Sequence, residues 1–354
     1  IAVGSTWERK EKADMTVEKM RDYLYHLPEQ FAESLKMEFD FAEDYRSDYE
    51  NIVVSGLGGS AIGGDILRTF ALQKASIPVV VNRDYNIPAF VGEKTLFYAV
   101  SYSGNTEETL SAYRQARERG AAIVCFSSGG ELEKMARLDG KPVVKVPTGL
   151  VPRAATGYLF APLALLLEKL GIVVGVRSEL EECVRVLRDI RDSLHPEIEI
   201  EKNPAKKIAR ELKDSIPIIW GSSGISEVAA LRWKAQINEN AKSPAYYHVF
   251  PELNHNEIVG FEVPAELVSR LFVVILKDRF DHERVKRRMA ISRDIIKQRV
   301  KGFVEVESRG ESFLARLYSL CYTGDYASFY LALENGINPT PVALIDFLKA
   351  ELAK

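Results

Sequence analysis

Short runs of consecutive apolar residues alternate along this chain with stretches whose apolar positions recur every three or four residues. The first ~48 residues follow the second pattern: Leu24, Leu27, Phe31, Ala32, Leu35 and Phe39 form one stripe, which predicts helix. Apolar runs then fall at residues 52–54, 79–81, 96–100, 122–126 and 143–146, with helical stretches between several of them, notably 62–72 and 106–118. Strands that are apolar on both faces and alternate with helices predict a parallel sheet covered on both sides. Such a sheet places ligands at the carboxyl ends of its strands.

The pattern then restarts. A long helical stretch, 154–170, closes the first half, and another, 178–194, leads into the polar segment His195-Pro-Glu-Ile-Glu, which has the composition of a linker. Ile216-Pro-Ile-Ile-Trp220, a Gly221-Ser-Ser-Gly224 turn and a helix over 225–240 repeat the strand, turn and helix of 52–68. Further strands are expected at 246–250, 271–275 and 303–306, and helices at 284–300 and 313–334. The expectation is an α/β protein with two tandem domains, 1–176 and 177–354, each a mainly parallel sheet flanked by helices.

Composition narrows the class only a little. The 354 residues are 46% hydrophobic and 27% charged, with a net charge of −3, which gives no case for nucleic acid. The basic run Arg284-Val-Lys-Arg-Arg288 reads as a solvated helix face. Cys125, Cys183 and Cys321 are far apart and odd in number, so they are expected as reduced thiols rather than a disulfide set or zinc site. No apolar run approaches the ~18 residues that span a bilayer. The opening Ile1-Ala-Val-Gly-Ser-Thr-Trp lacks the regions of a signal peptide, so a cytoplasmic location is expected.

Two turns carry the chemistry of the first half. Ser101-Tyr-Ser-Gly-Asn-Thr-Glu-Glu-Thr109 joins an apolar strand to a helix and gathers hydroxyls, backbone N–H groups and the positive end of a helix dipole, a combination suited to phosphate. Gly56-Leu-Gly58-Gly59-Ser60-Ala61 sits in the same setting and satisfies the G-x-G-x-x-G/A dinucleotide pattern. The acidic residue that should end the second strand is displaced, however, since Asp84 follows an arginine beyond that strand. Glycines serving only tight strand-to-helix packing explain the same turn. The second hydroxyl loop favours a compact sugar phosphate.

In the second half Gln236, Glu239 and Asn240 recur at i, i+3 and i+4, which places them on one helix face. A solvated C-terminal turn has the same composition. Pro251-Glu-Leu-Asn-His255-Asn-Glu257 then surrounds a histidine with polar groups, as suits proton transfer near neutral pH. His255 and Glu257 lack a third metal ligand at matching spacing. Arg153 opens a helix, against the dipole, and so calls for an anionic partner, either a bound anion or an acidic side chain.

These segments together resemble the bifunctional phosphoglucose/phosphomannose isomerases, a branch of the phosphoglucose isomerase superfamily built from two sugar-isomerase (SIS) domains. The resemblance rests on the residues 56–65, 101–109, 152–158, 236–240 and 251–258, and on Gly324-Asp-Tyr-Ala-Ser-Phe-Tyr330 followed by Asn338-Pro-Thr-Pro-Val342. It implies two tandem SIS domains, a hexose 6-phosphate substrate and interconversion of glucose and mannose 6-phosphates with fructose 6-phosphate. It further implies that Gly58, Gly59 and Ser60 line the sugar site, and that Ser101, Ser103 and Thr106 hold the phosphate. Glu239 matches the family's base, His255 its ring-opening histidine, Arg153 the group that steadies the enediolate, and Lys349 (or Lys354) the lysine of the last helix. No cofactor or metal is implied. A homodimer is, with His255 reaching the partner's site. The competing readings are a sugar-phosphate-sensing SIS regulator, a nicotinamide-dependent enzyme and a single-substrate phosphoglucose isomerase.

Overall fold

The computed structural model describes residues 6–352 and 354, with side chains from Thr16 onward. Two helices lead, α1 (Thr6–Tyr25) and α2 (Leu27–Ser34), and a short 3-10 turn follows at Asp40–Tyr45. The helical expectation over the first ~48 residues is therefore interrupted. Pro28 lies in the first turn of α2, where its missing N–H costs nothing, and so starts a second helix instead of extending the first.

The first sheet contains β1 (Asn51–Ser55), β2 (Val79–Asn82), β3 (Thr95–Val100), β4 (Ala122–Ser127) and β5 (Val143–Lys145), with α3 (Gly59–Ala71), α4 (Glu107–Glu118) and α5 (Gly130–Leu138) between strands. All pairings are parallel, in the order β2-β1-β3-β4-β5. Every residue of β3 is buried, as a central strand covered on both faces requires. The helices α6 (Thr156–Lys169) and α7 (Val176–Leu194) follow.

After α8 (Pro204–Leu212), the second sheet forms from β6 (Ile216–Ser222), β7 (Tyr246–Phe250), β8 (Leu271–Lys277) and β9 (Gly302–Glu307), all parallel, in the order β7-β6-β8-β9. Its helices are α9 (Ile225–Gln236), α10 (Ala265–Val268) and α11 (Glu283–Ile296), and the chain ends with α12 (Phe313–Glu334) and α13 (Ala343–Leu352). Both sheets share one logic: the first strand lies between the second and third, so the order reverses beside it. Among the expected strands, every one is present.

Residues 26–188 and 310–315 form one compact unit, here the first, and residues up to 25, 189–309 and 316–354 form the second. The leading helix joins the second unit through contacts distant in sequence: the Tyr322 hydroxyl donates to Leu24 O at 2.7 Å, and Thr340 Oγ1 donates to Thr16 O at 2.5 Å. Segment 195–199 is a pinned turn inside that unit, where Lys206 Nζ donates to the carbonyls of Pro196 and Ile198 at 2.6 and 2.7 Å. The three cysteines are buried free thiols, and burial pushes Cys125 and Cys321 up to about 12.

Candidate functional site

The carboxyl edge of the first sheet is built by the turns after β1 and β3, which flank the point where strand order reverses. In the loop after β3, Ser101 Oγ lies 2.8 Å from Thr106 Oγ1 and accepts from Gly104 N at 3.1 Å, while Ser103 Oγ accepts from Asn105 N at 3.2 Å. Thr106 occupies the N-cap of α4 without bonding a first-turn amide through its side chain. The positive end of a 12-residue helix thus meets three hydroxyls in one loop. Ser101 is buried and Ser103 exposed. The arrangement suits a dianionic group.

The turn after β1 approaches it directly, because Tyr102 N donates to Ser60 Oγ at 3.3 Å. Gly58 takes a φ of +53°, a conformation that glycine adopts without strain. At Gly59 a Cβ would lie 2.6 Å from Pro152 O, and at Gly63 one would lie 2.2 Å from Leu159 O. Close packing of α3 against the segment that carries Arg153 therefore accounts for those glycines. Asp84 serves its own turn, accepting from Asn86 N at 3.1 Å, and Arg83 pairs with Asp65 on α3. The acidic residue nearest to the dinucleotide pattern is thus engaged in its own turn, and the first glycine of that pattern, Gly56, is required by packing, since a Cβ there would lie 2.8 Å from Val100 O.

Arg153 is buried in a 3-10 turn, Pro152–Ala154, just ahead of α6. Two residues that carried no assigned role in the sequence hold this turn and the loop that leads into it. Gln30 of α2 donates from Nε2 to Ala154 O at 2.7 Å and accepts from Gly157 N at 3.1 Å. The Tyr102 hydroxyl donates to Pro147 O and accepts from Leu150 N, both at 2.9 Å. The signal for Gln30 was a polar residue inside an apolar stripe. For Tyr102 it was an aromatic residue inside a hydroxyl loop.

The same edge of the second sheet is chemically different. Ser222 N donates to Ser226 Oγ at 2.7 Å, the two hydroxyls lie 3.0 Å apart, and Ser222 Oγ donates to the Asp281 carboxylate. The other Asp281 oxygen accepts from Asp278 N at 2.7 Å, and Asp278 in turn accepts from Arg316 Nε at 3.0 Å and Ser308 Oγ at 2.5 Å. Burial raises the Asp281 carboxyl above its ordinary range, with the Ser222 and Asp278 hydrogen bonds opposing the shift.

Glu239 does not share a helical face with Gln236 and Asn240. The α-helix ends at Gln236 and continues as a π-turn, Ile237–Ala241, closed by Lys242 in the left-handed region. Gln236 and Asn240 are buried and donate to α12, to Asp325 Oδ1 and Ser328 Oγ respectively, each at 2.9 Å. Asp325 also takes a bidentate bond from Arg232, at 3.0 and 2.8 Å. Wider turns carry Glu239 off this anchored side to a half-buried position. His255 ends a 3-10 turn, Glu252–His255, and is exposed. Glu257 accepts from Trp220 Nε1 at 2.6 Å and meets His248 Nδ1 at 2.7 Å, so it is engaged in packing the strand end. Lys349 lies exposed on α13, and Lys354 donates to Glu351 at 2.6 Å.

No described helix is long and apolar enough to cross a membrane. A family described as the bacterial phospho-glucose isomerase C-terminal SIS domain matches residues 201–352. Among solved structures, the C-terminal domain of glucosamine-fructose-6-phosphate aminotransferase from Francisella tularensis aligns with a TM-score of 0.70 at 14% identity, covering 91% of this chain and 98% of that one. That likeness shows the SIS-type fold. A bifunctional phosphoglucose/phosphomannose isomerase of Thermoplasma volcanium is 37% identical over 92% of this chain and all of its own length. The corresponding protein of Caldicellulosiruptor bescii is 50% identical over 95% of this chain and 99% of its own. By that similarity along nearly its whole length, the chain belongs to the bifunctional phosphoglucose/phosphomannose isomerase family.

Proposed function

We propose that this protein is an aldose–ketose isomerase that interconverts glucose 6-phosphate and mannose 6-phosphate with fructose 6-phosphate. The observation that carries the reading is the hydroxyl loop Ser101–Thr106 at the head of α4, in a chain half identical to a bifunctional isomerase. Ser101, Ser103 and Thr106 hold the phosphate, and Gly58, Gly59 and Ser60 line the sugar. Their amides and hydroxyls are donors with no carboxylate bonded among them in the described residues, as an anionic substrate requires.

The reaction opens a cyclic sugar and moves a proton between adjacent carbons. His255, aided by Lys349, takes the proton from O1 and delivers it to the ring oxygen as the C1–O5 bond breaks. Glu239 removes the C2 proton to give a cis-enediolate, then returns it to C1, while the O2 proton passes to O1 and C2 becomes the ketone. Electrons stay within the substrate, so no external oxidant enters. Arg153 stabilises the oxygen on which charge develops. A base positioned to reach C2 from either epimer accepts both aldoses. A homodimer, in which His255 serves the partner's site, completes the proposal.

Glu239→Gln tests it. Turnover of both aldoses to fructose 6-phosphate falls ~10²–10⁴-fold, the usual worth of a positioned proton-transfer group. Near wild-type turnover would remove Glu239 from the mechanism. Mixing Glu239→Gln with His255→Ala chains recovers partial activity if sites are shared.

A further inference from the structure

Among the described residues, Asp214 and Lys242 alone take a left-handed backbone without being glycine, and Lys242 does so directly behind the π-turn that carries Glu239. Glycine would sit there without strain and is the usual residue just past a helix end. The strain of a lysine calls for a compensating contact, and its ammonium supplies one. Lys242 Nζ donates to Glu239 O at 2.5 Å, to Pro339 O at 3.0 Å and, more weakly, to Asn240 O at 3.4 Å. Glu239 O and Asn240 O lie at the carboxyl end of a helix, where partners within the helix run out.

The segment around Pro339 is itself held. Asn338 donates to Thr16 Oγ1, Thr340 Oγ1 donates to Thr16 O at 2.5 Å, and Thr340 N donates to Asn338 Oδ1 at 3.0 Å. The ammonium therefore ties the Glu239 backbone to a strut fixed on α1. On its other side the π-turn is pinned to α12 through Gln236 and Asn240, and Asn238 Nδ2 closes it by donating to Ser243 O at 2.9 Å. A π-turn holds more residues than an α-turn. Relaxing it to regular α-helix would return Glu239 to the face of Gln236 and Asn240, against α12.

We propose that Lys242 is a positioning residue for the isomerisation. By holding Glu239 O against the 338–340 segment it keeps the π-turn from relaxing, and so fixes the approach of the Glu239 carboxylate. The proposal rests on Glu239 being the base that moves the C2 proton. A carboxylate serving two adjacent carbons needs a fixed approach, because a displacement of about 1 Å can cost ~100-fold in rate. The proposed function assigns the phosphate to the first unit, so loosening Glu239 acts on turnover rather than on affinity.

Lys242→Gly tests it, because glycine keeps the left-handed backbone and removes the ammonium. The expected result is a kcat for glucose 6-phosphate ~10–100-fold lower, with KM within about threefold of wild type. The primary isotope effect on substrate deuterated at C2 grows, since proton transfer then limits turnover more fully. Lys242→Arg keeps a cationic donor and holds kcat to within about fivefold of wild type. Adding Lys242→Gly to Glu239→Gln lowers kcat no further, as for two residues acting on one step. Lys242→Met, which keeps the aliphatic stem, carries the same test if the glycine variant is not folded by circular dichroism. A loss confined to KM or to thermal stability, with the isotope effect unchanged, overturns the proposal. Wild-type kcat in Lys242→Gly beside an impaired Glu239→Gln overturns it and leaves the base in place, whereas near wild-type turnover of Glu239→Gln overturns both.

Discussion

The two sheets build the same corner from opposite chemistry. In each, a Gly/Ser turn follows the first strand and a second turn follows the third, beside the place where strand order reverses. The first unit lines that corner with the hydroxyls of Ser60, Ser101 and Thr106 and points a helix N-terminus at it. In the second, the Asp281 carboxylate takes the hydrogen bonds of Ser222 and of Asp278 N. The corner of the second unit is thus satisfied by the chain's own anion, whereas the proposed function leaves that of the first unit for a ligand. A phosphate approaching the second corner would meet like charge; its residues are released for structure, while Glu239 and His255 stand elsewhere in that unit.

The largest expected effect comes from breaking the first corner. Gly104→Ala puts a Cβ 1.8 Å from Gly129 O at a φ of +70°, so the loop must rearrange, at a cost of at least ~3 kcal/mol. Thermal unfolding together with KM for glucose 6-phosphate checks this; an unchanged KM would mean that the loop does not hold the substrate. Gly224→Ala, at a φ of +114° with nothing within 4 Å, strains only its own backbone, at ~1–2 kcal/mol.

Hydroxyl removal is milder and tests the asymmetry directly. Ser101→Ala raises KM ~10–100-fold, as expected for a lost hydrogen bond to an anion. Ser222→Ala leaves KM within about twofold of wild type and costs ~1 kcal/mol of stability instead. Equal effects of the two on KM would erase the distinction between the corners.

The smallest effect concerns pH. Because burial raises Asp281 in the folded state, its contribution to stability is fully present below the unfolded value of about 3.9 and is lost as pH rises through the folded value. Asp281→Asn has no such ionisation. Measured by urea unfolding from about pH 4 to 7, wild type loses stability relative to the variant before the difference levels off. Parallel curves would show that the carboxylate is not held against its ionisation.

Much of this was readable along the chain because it is local. The six-residue apolar run of β3, the hydroxyls behind it and the bounds of α12 at Phe313 and Glu334 depend on neighbours in sequence. The helix α8 was readable too, in Ala205, Ile208, Ala209 and Leu212 at helical spacing behind an Asn203 cap and Pro204, yet it went unpredicted. The π-turn at Ile237–Ala241 defeated the spacing argument for Glu239, because that argument assumes 3.6 residues per turn throughout.

By itself, then, the order of apolar runs determined two parallel α/β sheets, and the hydroxyl turns supplied the expectation of an anion site. Tertiary structure alone decided that Asp281 closes the second corner. Gln30 reaches the Arg153 turn across 124 residues, and Asp281 reaches Ser222 across 59. Hydrogen bonds between such distant groups follow from how strands and helices pack in space, and no local spacing records them.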